Sequence, residues 1–309
     1  MIKEYEFKDH EEWLAIRSKY IGGSDAGAVI GLNPFKSRYS LWAEKTGKVP
    51  GFEGNIVTKV GSYLEDLVAK MFEEETGKKV RRKNRTMVND IYPYACANID
   101  RAVVGENALL EIKTTNSIPI MKQLRKSEFP EVYYAQVVHY LAVTGLDKAY
   151  LAVLINCREL KVYELDRDQA EIDALMEAEK EFWNLVETNT PPNADGSDAT
   201  SDTLINLYPN SNEDSIDLFA FDSQLKEYMS IKAQIDALED LKDEIANSIK
   251  AYMKEAGRGE SSNYKVSCKS QTKRTFDTKK FESDHKNISL EGYFKETISR
   301  PFKVTKKGE

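Results

Sequence analysis

Two short runs carry the groups best suited to chemistry, Asn98-Ile99-Asp100 and Glu111-Ile112-Lys113. Glu111 and Lys113 are two apart in a stretch that reads as a strand, so they share one face while Leu110 and Ile112 take the other. Asp100 belongs to the preceding strand, and the Gly105-Glu106-Asn107 turn makes a hairpin that brings it beside Glu111. Two carboxylates placed in this way, with the Ile112 carbonyl available as a further ligand, form a hard oxygen site suited to Mg2+. Lys113 next to them can stabilise a hydroxide or steady an attacked phosphate. Metal plus lysine meets the needs of phosphodiester hydrolysis: a nucleophile at neutral pH and neutralisation of developing charge.

A Glu-x-Lys triplet on a strand is also what a plain cross-strand ion pair looks like. The chain has a second copy, Glu159-Leu160-Lys161, with Asp147 upstream. Context separates the two. The first copy has the helix carboxylate Glu65 before it, and after it Gln136 and Tyr140, which are i, i+4 and share a helix face. The second is followed only by an acidic helix and a loop.

The elements that must position these groups alternate between helix and strand to about Thr188. Helices are expected over Glu11–Lys19, from Ser24 as N-cap to near Gly31, over Arg38–Thr46, and over Asn55–Thr76, where Val57, Val60, Leu64, Leu67, Val68, Met71 and Phe72 recur at helical spacing. Strands are expected at Lys79–Arg82, Thr86–Asn89, Ala95–Val104 and Ala108–Thr114. Pro130 opens a helix to about Thr144, followed by strands Ala149–Asn156 and Glu159–Leu165 and a helix over Arg167–Val186. Helices flanking a mixed central sheet make an α/β domain over residues 1–188. Residues 189–216 have the composition of an acidic loop or linker, interrupted by the apolar piece Leu204–Tyr208.

A C-terminal extension, 217–309, follows. Its long amphipathic helix is expected over 222–256, with Tyr228, Ile231, Ile235, Leu238, Leu241, Ile245, Ile249 and Tyr252 as an apolar stripe that packs on the body or on a partner helix. Tyr264 to Val304 reads as short strands plus a helix near Thr278–Asp284.

The 309 residues carry a net charge of -7, which argues against a simple DNA-coating protein, because phosphate binding needs Lys and Arg. The charge is unevenly spread. No Lys or Arg occurs from Glu181 to Leu225, whereas Gly257 to the end holds 13 Lys and Arg against 7 Asp and Glu, a basic tail. Arg81, Arg82, Lys83 and Arg85 form another basic cluster. An acidic enzyme that concentrates carboxylates around metal can still carry a basic channel. Cys96, Cys157 and Cys268 are scattered, which excludes a zinc or iron–sulfur frame and suits reduced thiols. No apolar run is long enough for a membrane span, and the start shows no secretory pattern, so a cytoplasmic location is expected.

Several ordered segments together resemble the YqaJ-type viral recombinase family, relatives of phage lambda exonuclease within the PD-(D/E)xK nuclease superfamily. They are Arg17, Ile21-Gly22-Gly23-Ser24-Asp25, Ile30-Gly31-Leu32-Asn33-Pro34-Phe35-Lys36-Ser37, Leu41-Trp42-Ala43-Glu44-Lys45-Thr46-Gly47, Gly61-Ser62-Tyr63-Leu64-Glu65, the Asp100, Glu111 and Lys113 set, and Gln136 to Tyr140. The resemblance implies a restriction-endonuclease-like core. It implies two metal ions (Mg2+, with Mn2+ as substitute) on Asp100, Glu111 and the Ile112 carbonyl, and assistance to the attacking water from Lys113. Glu65 would support the metal shell through water, and Gln136 would orient Lys113 or the scissile phosphate, with Tyr140 on the same helix face. Arg17 and Ser24 match positions that receive a 5′-phosphate, a role that a guanidinium and a helix N-terminus suit chemically. The plainer alternatives are N-capping for Ser24, which is compatible with the phosphate role, and a surface ion pair for Arg17, which the presence of Ser24 disfavours.

The expected function is a phage or prophage exonuclease acting 5′→3′ on the ends of duplex DNA in a bacterial host and leaving 3′ single strands for recombination. A ring-shaped trimer and a single-strand annealing partner are implied by the same resemblance. The alternatives are an endonuclease or repair nuclease on the same core, and a catalytically silent DNA-binding or assembly subunit. Among other candidates, His10, His139 and His285 lie far apart, and His139 falls off the Gln136–Tyr140 face, so it reads as structural. Tyr39 and Trp42 read as core. Tyr20 could stack on DNA.

Overall fold

Local signals place the ends of most elements in the computed structural model, which describes residues 1–51, 54–126, 129–288, 290–295 and 299–307. A first strand, β1 (Ile2–Tyr5), leads into α1 (His10–Arg17), where the Asp9 carboxylate accepts from the Glu12 amide and caps the helix. After β2 (Ile21–Gly22) come α2 (Gly23–Val29) and α3 (Arg38–Lys45). The Asn55 side chain takes the Val57 and Thr58 amides at the start of α4 (Ile56–Thr76), and Gly77 ends that helix at φ +71°, a conformation that favours glycine.

Five strands follow: β3 (Val80–Arg82), β4 (Thr86–Asn89), β5 (Tyr92–Ala97), β6 (Arg101–Val103) and β7 (Ala108–Thr115). Next are α5 (Ile118–Arg125), α6 (Glu131–Thr144), β8 (Lys148–Ile155), β9 (Glu159–Asp166), α7 (Gln169–Glu187) and α8 (Asp198–Leu207).

The strands form two sheets. One has the order β3-β6-β7-β8-β9, with β7 and β8 parallel and the other neighbours antiparallel; the second has the order β1-β4-β5-β2. Strand β8 is buried along nearly its whole length, which accounts for its continuous apolar run. Strand β7 alternates. Its Ala108, Leu110 and Ile112 join the core cluster of Val68 and Phe72 from α4, while Leu109 joins that of Val137 and Leu141 from α6. Full burial of one side chain such as Phe72 contributes about 1.5–3 kcal/mol. The sheet is thus held between α4 on one face and α6 on the other.

Three sequence expectations need correction. The single strand expected over Ala95–Val104 is broken at residues 98–100 into β5 and β6, which belong to different sheets, so Asp100 lies in the bend between them. The stretch expected as loop, 189–216, contains α8, capped by Ser197 and fastened to α3 by hydrogen bonds from Thr200 to Ser37 and from Thr203 to Ser40. Polar spacing hid this helix, because its contacts with the body run through threonine hydroxyls as much as through Leu204 and Leu207. Finally, Ser24 is not the N-cap of α2. Gly22 holds that position, and its amide donates to the Asp25 carboxylate at 3.1 Å.

Contacts divide the chain into two units, Met1–Tyr208 and Pro209–Glu309. The second is built on α9 (Asp222–Met253), with the hairpin β10 (Arg258–Glu260) and β11 (Lys265–Ser267) and a short α10 (Thr278–Asp284). All eight residues of the α9 stripe stay exposed, between 42% and 91%, so packing within the unit does not cover it. Among the described residues no helix is long and apolar enough to cross a membrane.

Candidate active site

The antiparallel register of β6 and β7 pairs Arg101 with Leu110, which carries Asp100 to a place opposite Glu111. Gly105, at φ +84°, makes the turn that allows it. The Asp100 carboxylate accepts from the Ile112 amide at 2.7 Å, so it is fastened across the hairpin to the strand that bears Glu111. Glu111 and Lys113 point to the α6 side of the sheet. There the Lys113 ammonium donates to Glu111 Oε1 at 2.5 Å and stands over the Tyr133 ring at 5.7 Å from its centre.

Helix α6 closes the site from above. Gln136 donates one amide hydrogen to Glu111 Oε1 at 2.8 Å and the other to the Tyr140 hydroxyl at 3.0 Å. Gln136 therefore holds Glu111, where the sequence suggested Lys113 or a phosphate as its target. Tyr140 is buried, and its ring lies flush against α2. A Cβ on Gly23 would come 2.8 Å from Tyr140 Cζ, so only glycine fits this approach.

Glu111 is 2% exposed, and its Oε2 has no hydrogen-bond partner among the described residues. An orphaned carboxylate oxygen in such a place is costly unless a cation takes it up. With the Asp100 carboxylate beside it, this oxygen donor pair fits a hard divalent ion. Burial and the neighbouring Glu111 charge push the Asp100 carboxyl well above its usual pKa, while Lys113 pulls the other way. Burial alone would lower the Lys113 ammonium, but Glu111 and Asp100 outweigh it and hold it above its ordinary value.

Glu65 reaches toward this centre from α4 and is taken up by Arg101, a residue the sequence reading passed over. Arg101 also donates to the Asp100 carbonyl at 2.6 Å and to Asp66 at 2.7 Å. Its position directly after a metal-type carboxylate was the available signal. Among the described residues no group of three or more His, Cys, Asp or Glu side chains is placed to hold a metal ion.

A second constellation lies at the start of α2. Arg17 donates to the exposed Ser24 hydroxyl and stacks on the Trp13 ring at 5.1 Å. The buried Asp25 beside it is paired with Lys45 at 2.9 Å. Burial would raise its carboxyl, but Lys45, Arg17 and Lys36 hold it below the usual range.

The other candidates separate cleanly. In the second Glu-x-Lys copy, Lys161 donates to the Leu124 carbonyl at 2.6 Å and stands 3.9 Å from Glu159, while Asp147 is bonded to Asn107 at the far end of the β8–β9 hairpin. His139 is fully buried between the Glu179 carboxylate at 2.7 Å and the Cys96 carbonyl at 2.9 Å, a structural role. Tyr39 and Trp42 lie in the core, Tyr20 is half-buried, and His10 and His285 are exposed.

Mixed sheets flanked by helices in this arrangement make the restriction-endonuclease-like fold. Solved structures of an alkaline exonuclease from Laribacter hongkongensis, LHK-Exo, share it: one superposes with a TM-score of 0.51, and another, in complex with dAMP, with 0.52. Each is 21% identical to this chain and covers 59% of it and 94% of the exonuclease. The model of the YqaJ-like viral recombinase domain matches residues 12–147, and the Bacillus subtilis (strain 168) protein YqaJ, itself uncharacterized, is 41% identical over 300 residues, 95% of this chain and 93% of that one. The chain belongs to the YqaJ-like viral recombinase family.

Proposed function

We propose that the protein is a divalent-metal-dependent exonuclease that degrades linear duplex DNA from its 5′ ends and leaves 3′ single strands for recombination. The observation that carries this reading is the buried, unpartnered Oε2 of Glu111 next to Asp100 and Lys113. The likeness of the fold to alkaline exonucleases supports it.

Asp100, Glu111 and the Ile112 carbonyl would hold Mg2+ or Mn2+. A bound ion of this kind makes hydroxide available near neutral pH and neutralises charge on the attacked phosphate. The remaining work falls to the chain. Lys113, held by Glu111 on the same face of the strand, would present a positive charge to an incoming phosphate. Gln136 spends both amide hydrogens on holding Glu111 and Tyr140, which keeps the carboxylate from rotating. Arg17 and Ser24 form a donor pair for a terminal 5′-phosphate. A single-strand annealing protein and a trimeric assembly belong to this reading by family resemblance.

The test compares end-labelled linear duplex with covalently closed circular DNA, each with Mg2+ and with EDTA. Metal-dependent loss of the linear substrate with the circle left intact is the expected result. Cutting of the closed circle would favour the endonuclease reading, and binding without any cutting would favour a silent subunit.

A further inference from the structure

Arg101 is an unusual residue to find beside a metal-type carboxylate. Its side chain is only 4% exposed, and its guanidinium meets three acceptors: Glu65, the Asp100 carbonyl and Asp66. Asp66 is in turn bridged to Arg82, so the guanidinium links α4, β6 and β3. Register pairs Arg101 with Leu110, whose side chain lies on the α4 face of the sheet, while Glu111 points to the α6 side. Arg101 holds Glu65 beside the Asp100 carbonyl, close enough for the Glu65 charge to act on the Asp100 carboxyl.

We propose that Arg101 is a positioning residue that competes with the divalent cation for the Glu65 carboxylate and thereby sets the metal affinity of the centre. The inference rests on the metal reading above. A guanidinium and a divalent ion are both recruited by carboxylate oxygens, and a carboxylate held by one is less available to the other. The positive charge of Arg101 also opposes a second positive charge brought in at Asp100. At the same time its bond to the Asp100 carbonyl fixes the bend that aims the Asp100 carboxylate. Arg101 thus lowers affinity while raising order, so a bound ion stays exchangeable and well placed.

This division of labour has a signature that a merely structural arginine lacks. Mn2+ binding to the full-length protein without DNA is measured by isothermal titration calorimetry, for wild type, Arg101→Gln, Arg101→Lys, Glu65→Gln and the double variant. Arg101→Gln should bind Mn2+ about tenfold more tightly while turning over DNA more slowly. Arg101→Lys, which keeps the charge and loses the fork, should fall between. Placing Arg101→Gln in the Glu65→Gln background should shrink the gain by half or more, because the contested carboxylate is gone. Glu65 and Asp66 are 28% and 64% exposed, so water can take over their solvation and the variants should stay folded, as circular dichroism melts will check.

Equal or weaker Mn2+ binding by folded Arg101→Gln overturns the inference and leaves the nuclease reading standing. So does a gain of the same size in both backgrounds. Wild-type protein that binds no Mn2+ overturns the metal reading itself.

Discussion

Gln136 lies 2.8 Å from Glu111, and it uses its second amide hydrogen on Tyr140 one turn along the same helix. A helix from one layer thus fixes the orientation of a carboxylate in another, and the Tyr140 ring carries the connection on to Gly23 at the start of α2. Loss of such an outer partner typically costs 10- to 100-fold in metal affinity or activity. Gln136→Ala should show a loss of roughly that size in Mn2+ affinity by calorimetry, with its melting temperature near that of wild type. An unchanged affinity would reduce Gln136 to a packing role.

Asp100→Ala and Glu111→Ala should each lower Mg2+-dependent cleavage by roughly 10²–10³-fold or more while the fold is kept. The decoy supplies the control. Lys161 is committed to the Leu124 carbonyl and Glu159 stands at the edge of the sheet, so Glu159→Ala should cleave at the wild-type rate. Near-normal turnover in well-folded Asp100→Ala would remove the assignment.

In the proposed mechanism Lys113→Ala removes a positive charge from beside the attacked phosphate. The expected outcome is a fall in kcat of roughly 10²-fold or more with little change in DNA affinity. Steady-state kinetics decides: a raised KM with normal kcat would make Lys113 a binding residue instead.

Half-buried Arg17 and exposed Ser24 stand together at the start of α2, where the proposed reading puts a terminal phosphate. Wild-type enzyme should degrade 5′-phosphorylated duplex faster than 5′-hydroxyl duplex, and Arg17→Ala should erase most of that difference. The ratio of initial rates on the two substrates is the measurement. A preference that survives Arg17→Ala unchanged would move the phosphate pocket elsewhere.

His139 provides a pH prediction for stability. Burial by itself would lower its pKa, but the Glu179 carboxylate and the Cys96 carbonyl at its two ring nitrogens raise it above the ordinary value. A group raised in the folded protein adds stability below its unfolded pKa, about 6.5. That contribution fades as pH climbs through the raised value. The melting temperature of wild type should therefore fall more steeply from pH 6.5 upward than that of His139→Gln. Parallel curves for the two proteins would show that His139 stays neutral.

Much of this arrangement was legible in the residues themselves. Two-residue spacing put Glu111 and Lys113 on one face, the Gly105 turn brought Asp100 opposite, and the i, i+4 pair of Gln136 and Tyr140 announced a shared helix face. Caps and periodicity marked α4 and α6 to within a residue or so. These features are local: backbone geometry and side-chain period act over a few residues, and a sequence displays them directly.

Other features were settled only when distant segments met. The break at residues 98–100 exists because β5 and β6 enter different sheets, and no spacing within Ala95–Val104 records that choice. Helix α8 is held by hydroxyls whose partners, Ser37 and Ser40, lie far back in the chain. Whether Gln136 served Lys113 or Glu111, and whether Glu65 would meet Asp100 or Arg101, depended on which layers pack together. Hydrogen bonds and ion pairs form with whatever partner packing brings within about 3 Å. Residue types thus determined which chemistry this chain could hold, and tertiary packing decided which oxygen of Glu111 would be left without a partner.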